Sequence, residues 1–261
     1  MPRAVARAIP HVRDLIRPIA HRGLHQSASG VIENTESAVR AAIKKGYGIE
    51  VDIQSAKGGA PVVFHDQRLH RLTMGGGHVR DHTIDELKKT PMHETADRIM
   101  ELGELLELVD GRVPLILEIK SDWRGTGVFE EKVAYIIKDY IGPHGFMSFD
   151  PNCVAAIANH VPGIPRGLAA GGLKGRRGVP VPSFIKRMAL RHLLSSVIAR
   201  PDFIAYDIRA LPRLAPIIAN RLFGLPLFTW TVRTEAQRAL AEKWTDAPIF
   251  EGLDPGSRPR V

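Results

Sequence analysis

Short apolar or β-branched runs recur along the chain, and the stretches between them carry apolar residues at helical spacing. The runs Ile19–His21, Ile49–Gln54, Leu115–Lys120, Phe146–Phe149, Arg166–Ala170, Phe203–Asp207, Leu227–Val232 and Ile249–Glu251 predict eight strands. Helix boundaries are written between them. Thr35 to Lys45 is closed by Gly46. Asp150 caps a helix that begins at Pro151, with Val154, Ile157, Ala158 and Val161 as its apolar stripe. Thr234-x-x-Gln237 reads as a capping box. Strand–helix alternation repeated eight times predicts a closed (β/α)8 TIM barrel over residues 17–255. No GxGxxG follows a strand, which argues against a dinucleotide-binding sheet.

The rhythm breaks once. After Gln54, residues 55–60 lead directly into another apolar run, Pro61–His65. A parallel crossover needs about a dozen residues, so this pair is expected to form an antiparallel hairpin turning near Lys57–Gly59. Counting back from the turn sets His65 opposite Val51–Asp52. The following stretch has its own capping box, Thr83-x-x-Glu86, and a small insertion after the second strand is expected at about 55–93.

Chemistry gathers at strand ends, in His21-Arg22-Gly23, Glu50-Val51-Asp52 and Glu118-Ile119-Lys120. Residues i and i+2 of a strand share a face. Glu50 therefore points with Asp52, and Glu118 with Lys120. Val51, Ile53, Leu117 and Ile119 then lie under the helices, and three carboxylates and a lysine face the barrel axis. Burying that charge unpaired is very costly. Two readings answer the cost: a structural ion network neutralised by Lys120 and Arg22, or a divalent cation on Glu50, Asp52 and Glu118. All-oxygen ligands fit Mg2+ or Ca2+ better than zinc. The C-terminal ends of barrel strands are where active sites sit, which favours the cation. His21 and His65 flank the cluster and suit acid and base roles. Arg22 offers a fork for phosphate oxygens, and Lys120 a point charge.

Composition adds less. With 261 residues, 44% of them hydrophobic, the chain can bury a sizeable core. The single cysteine, Cys153, cannot form an internal disulfide and reads as a small apolar filler. The net charge of +8 points toward anionic partners, and no nucleic-acid-binding motif accompanies it, so a small phosphate ester is expected rather than nucleic acid. Met1 to Pro18 lacks an apolar signal region, and no stretch approaches the roughly 20 apolar residues of a membrane span; a cytoplasmic location is the expectation. Residues 174–200 hold seven Lys or Arg and no acid, interleaved with apolar residues. They fit either a barrel helix with a solvated basic face or a weak contact with anionic membrane. Phe149 and Trp230 stand at strand ends, as pocket wall or as barrel core.

The ordered set His21-Arg22-Gly23, Glu33-Asn34-Thr35, Glu50-x-Asp52, His65-Asp66, Glu118-Ile119-Lys120, Ser148-Phe149 and Trp230-Thr231-Val232 resembles the glycerophosphodiester phosphodiesterases. The resemblance runs from about Ile19 to Asp254. It implies a barrel enzyme that hydrolyses glycerophosphodiesters, such as glycerophosphocholine and glycerophosphoethanolamine, to sn-glycerol 3-phosphate and an alcohol. It implies a divalent cation, Mg2+ or Ca2+, on Glu50, Asp52 and Glu118. His21 and His65 become acid and base, Arg22 and Lys120 phosphate ligands, and Phe149 and Trp230 pocket residues. Lysophospholipase D and sphingomyelinase D-like enzymes, which act on lipids, share the histidine pair and the acids. The sequence departs at its last strand, where Ile249-Phe250-Glu251-Gly252 replaces an Ile-Thr-Asp pattern. That change is expected to reshape one pocket wall without touching the cation ligands.

Overall fold

The computed structural model describes residues 11–123, 127–171 and 183–256. Among the described residues there are ten strands: β1 (Ile19–His21), β2 (Gly48–Ser55), β3 (Pro61–Val63), β4 (Met100–Glu101), β5 (Leu115–Ile119), β6 (His144–Ser148), β7 (Arg166–Ala170), β8 (Phe203–Asp207), β9 (Leu227–Val232) and β10 (Ala247–Phe250). Eight of them close into a parallel barrel in the order β1-β10-β9-β8-β7-β6-β5-β2, with β1 pairing β2 to complete the ring. The helices are α1 (Glu36–Lys45), α2 (Ile84–Lys89), α3 (Leu102–Val109), α4 (Val128–Ile137), α5 (Pro151–His160), α6 (Phe184–Arg191), α7 (Ser196–Ala199), α8 (Leu214–Arg221) and α9 (Glu235–Trp244). The eight expected barrel strands are all present, their ends within two residues of expectation.

Two apolar layers divide the strand residues by parity. Val51, Ile53, Leu117 and Ile119 join the layer between strands and helices, which also takes Cys153 of α5. Ile19, Ile116, Met147, Ala169, Phe228 and Ile249 fill the barrel interior. Val12 and Leu15, from a short 3-10 turn ahead of β1, are buried with that interior cluster. Phe203 stacks on Phe228 with ring centroids 4.8 Å apart. Its room comes from Gly167 on the neighbouring strand, where a Cβ would sit 2.2 Å from the Phe203 ring.

The hairpin forms as expected. Gly58 and Gly59 turn it with φ of 72° and 81°, and Ile53 pairs Val63, so His65 lies two residues past the last paired position, opposite Val51. The stretch after it extends further than about 93. Val62 and Val63 pair antiparallel with Glu101 and Met100 of β4, and Val62, Phe64, Leu69, Val79, Leu87 and Ile99 form a separate small core. The capping boxed helix is α2, with Thr83 and Glu86 bonded reciprocally.

No helix among the described residues is long and apolar enough to cross a membrane. Residues 1–10 and 174–182, parts of the N-terminal and basic stretches read from sequence, lie outside the described residues.

Candidate functional site

The barrel register brings the chemistry together. His21 pairs Glu50 across β1 and β2, and Asp52 pairs Glu118 across β2 and β5. In a parallel sheet, register partners share a face, so these four side chains converge at the C-terminal mouth. The turn after β1 is shaped for the same purpose. Arg22 takes a left-handed φ of 57°, and Gly23 follows at 78°. A Cβ on Gly23 would lie 2.8 Å from the Ala38 backbone of α1, so glycine is required where the turn meets the helix. The turn delivers the Arg22 amide to Glu50 Oε2 (3.0 Å) and the Arg22 guanidinium to Asp52 and Glu33, with Nε 3.0 Å from Asp52 Oδ2 and Nη1 2.6 Å from Glu33 Oε1.

Carboxylate oxygens of Glu50, Asp52 and Glu118 lie within 4.8 Å of one another, and all three residues are buried. Asn34 fixes Asp52 twice: its Nδ2 donates to Oδ2 (2.8 Å), and its Oδ1 accepts from the Asp52 amide (3.1 Å). Lys120 Nζ lies 2.6 Å from Asp52 Oδ1 and also donates to Glu118 Oε1. The electrostatic consequences diverge within the cluster. Burial pushes the Glu50 carboxyl well above its ordinary range, and the charges of Asp52 and Glu118 push it further. Burial also works against Asp52, but Lys120 and Arg22 overcome it and hold Asp52 well below the usual range. Glu50 Oε1 is buried without a hydrogen-bond partner. A buried, unpartnered oxygen beside two further carboxylates is a donor set of hard oxygens suited to a divalent cation, so these residues fit one.

Each histidine is held by a carboxylate. His21 Nδ1 bonds Glu251 Oε2 at 2.8 Å, and its Nε2 is turned to the acids, 4.0 Å from Glu50 Oε2. Burial, with Arg22 close by, lowers its pKa to about 4. His65 Nδ1 bonds Asp66 Oδ1 at 2.6 Å. Burial lowers its pKa too, and Lys120 adds to the effect. Both imidazoles are therefore neutral near pH 7. Their carboxylates hold the proton on Nδ1, which leaves Nε2 as the exchangeable nitrogen.

An arginine stands behind each carboxylate. Arg233 Nη2 donates to Glu251 Oε2 at 2.7 Å. Arg71 donates through Nε to Asp66 and grips Glu33 with both terminal nitrogens at 2.7 and 3.0 Å. Although burial opposes it, Glu33 is held down to about 2 by Arg71 and Arg22. Phe149 and Trp230 meet edge to face at the mouth, with ring centroids 5.4 Å apart, half-buried on the interior cluster. Trp230 Nε1 donates to Ala205 O at 2.9 Å.

The structure thus brings His21, Arg22, Glu50, Asp52, Glu118 and Lys120 into one contact network, with His65 near enough to feel Lys120, Asp52 and Arg22. Sequence reasoning missed the second rank: Glu33, Asn34, Asp66, Arg71 and Glu251. The first three stand inside motifs that were read, without a role. Glu251 was expected only to reshape a wall; it bonds His21 instead. The parity argument used for β2 and β5 reaches it, since Glu251 lies two residues beyond the inward-facing Ile249.

Comparison with known proteins agrees with this picture. Residues 21–168 match the glycerophosphoryl diester phosphodiesterase family. A glycerophosphodiester phosphodiesterase of Caldanaerobacter subterraneus subsp. tengcongensis is 35% identical over 150 residues, 54% of this chain and 58% of that protein, so the match spans little more than half of that relative. A Bacillus subtilis protein is 28% identical over 89% of this chain and 95% of its own length. Among solved structures, an Oleispira antarctica phosphodiesterase in complex with the product sn-glycerol-3-phosphate superposes with a TM-score of 0.73 at 21% identity, covering 90% of this chain and 93% of that one. A Thermotoga maritima glycerophosphodiester phosphodiesterase gives a TM-score of 0.67 at 24% identity, covering 89% and 92%. At these identities the structural likeness speaks for the barrel.

Proposed function

Because the chain belongs to the glycerophosphoryl diester phosphodiesterase family, we propose that it hydrolyses glycerophosphodiesters to sn-glycerol 3-phosphate and an alcohol, with a divalent cation, Mg2+ or Ca2+, held by Glu50, Asp52 and Glu118. The observation that carries this reading is the meeting of three buried acids with Arg22, Lys120 and a carboxylate-bound histidine at the barrel mouth. When bound, the cation supplies positive charge beside the phosphate and stabilises the negative charge that develops there.

The protein's own groups do the rest. Arg22 and Lys120 bind phosphate oxygens, one as a planar fork and the other as a point charge. Glu33 and Asp52 hold the Arg22 guanidinium in place before substrate arrives. His21 and His65 are neutral imidazoles whose Nδ1 is tied down, so proton traffic passes through Nε2. One takes a proton at Nε2 from the attacking hydroxyl or water. The other acts once it has picked up a proton at Nε2, as an imidazolium balanced by the carboxylate on its Nδ1. It gives that proton to the leaving alcohol, so one proton enters the pair and one leaves it. Phe149 and Trp230 form an apolar wall against the glycerol or headgroup.

The test is coupled detection of glycerol 3-phosphate from glycerophosphocholine and glycerophosphoethanolamine, with and without chelator and with Mg2+ or Ca2+ returned. Release that chelation abolishes and either cation restores supports the reading; chelator-insensitive release removes the cation from it. A second reading, a lysophospholipase D or sphingomyelinase D-like activity on lipid substrates, is favoured by the apolar, basic flank of α6 to α8. Choline release from lysophosphatidylcholine but not from glycerophosphocholine would select it.

A further inference from the structure

Most of the exposed large apolar side chains of the described residues are concentrated in one part of the fold. Of fourteen such residues, nine fall between Phe184 and Phe223. Phe184 and Ile185 project from the start of α6, and Val197 and Ile198 from α7, with Val197 80% exposed. Leu214 opens α8, and Leu222 and Phe223 follow its end. α6 and α7 form the crossover between β7 and β8, and α8 forms the next, between β8 and β9. Neighbouring crossovers on a barrel lie side by side, so these residues share one flank.

The charges of the same flank are of one sign. Lys186, Arg191, Arg200, Arg209 and Arg221 are exposed. The only acids between residues 183 and 224 are Asp202 and Asp207, both buried, with Arg166 beside the first and Arg209 bonded to the second. A solvated barrel helix turns polar residues outward and apolar ones inward. Here the outward positions alternate between bulky apolar and basic, with no exposed acid among them.

We propose that the flank formed by α6, α7 and α8 docks on an anionic phospholipid surface. The chemistry selects that occupant. Exposed Phe, Leu, Ile and Val gain by entering the acyl boundary, and the bases between them meet lipid phosphates. A second copy of this chain fits poorly, because a two-fold contact would set the same basic face against itself. A polyanion such as nucleic acid would satisfy the bases and leave the apolar side chains in water. Lys186 Nζ lies over the Trp123 ring, 5.2 Å from its centroid, and Trp123 follows β5, which carries Glu118. One end of the flank thus borders the mouth of the barrel.

Cosedimentation of the full chain with vesicles tests this, using phosphatidylcholine alone and phosphatidylcholine mixed with phosphatidylglycerol. Binding to the mixed vesicles at low salt, weakened by high salt, is expected. The pair Arg191→Glu with Arg221→Glu, and separately Val197→Ser with Phe223→Ser, should each weaken it by about tenfold or more. Both pairs should leave turnover of soluble glycerophosphocholine unchanged, so a failure here is separable from a failure of the enzymatic reading. No binding at low salt would overturn the proposal. So would binding that survives the Val197 and Phe223 exchanges, which marks a charge-only polyanion surface. A dimer in sedimentation velocity that these exchanges dissolve would assign the flank to a second copy instead.

Discussion

The two histidines are supported by the same chemical device built in two different ways. Each presents Nδ1 to a carboxylate, and each carboxylate is gripped by an arginine: His21–Glu251–Arg233 on one side, His65–Asp66–Arg71 on the other. The first crosses the seam that closes the barrel, joining residues 230 positions apart, and ends at a half-exposed arginine. The second joins adjacent residues and does not end at its arginine. Arg71 continues through Glu33 to Arg22, and so to Asp52. The difference teaches that support for His21 is local to that histidine, whereas support for His65 is shared with Arg22, the proposed phosphate ligand. Perturbing the two sides should therefore give different kinetic signatures.

Removing either imidazole is the bluntest way to break the comparison. His21→Ala and His65→Ala should each lower kcat for glycerophosphocholine by about 10^2- to 10^4-fold, with native melting temperatures as control. Undiminished turnover in His65→Ala would contradict the proton-transfer scheme. The next effect is on stability and belongs to His21. Its folded pKa is near 4, and an unfolded histidine titrates near 6.5. Between these values the unfolded chain binds a proton that the folded one does not, so stability falls as pH drops through that window. The full loss is about 3 kcal/mol. Chelated wild type should therefore lose stability relative to His21→Asn between pH 6.5 and 4, read from denaturant midpoints; a constant gap would refute the buried neutral imidazole.

The supports come next in size. Losing a hydrogen bond to a charged group is worth roughly ten- to a hundredfold. Glu251→Ala should lower kcat by about that factor with KM nearly unchanged. Arg71→Ala should raise KM as well, because Glu33, which holds Arg22, loses a partner. Equal kcat and KM effects from the two variants would erase the distinction between local and shared support. Arg233→Ala should be mildest, at about two- to fivefold in kcat, since exposed ion pairs contribute little.

The barrel was legible because its strands carry strong parity: Val51 and Ile53 go outward while Glu50 and Asp52 go inward, and closure follows from eight such units. The hairpin was legible from chain length alone, since residues 55–60 cannot cross a barrel. β4 escaped because Met100–Glu101 is too short for any period to register. At the site, the residues bearing charge or imidazole at strand ends could be read individually. Their supports could not, because Arg71 and Asn34 act through turns and contacts that no local pattern encodes. Glu251 lay within reach of the same parity rule but stands just past the end of the closing strand, whose neighbour is the first strand of the chain. The basic stretch was read as either a solvated helix or a membrane contact; the outward apolar side chains of α6 and α7 became visible only with the helices oriented.

Titration calorimetry of the full chain with Mg2+ and with Ca2+ tests whether the buried acids form a cation centre, independently of turnover. The account predicts that wild type binds a single cation, and that Glu118→Gln and Asp52→Asn lose that binding while keeping their fold by circular dichroism. Binding that persists in both variants, or a wild-type chain that turns over glycerophosphocholine and binds neither ion, would contradict it.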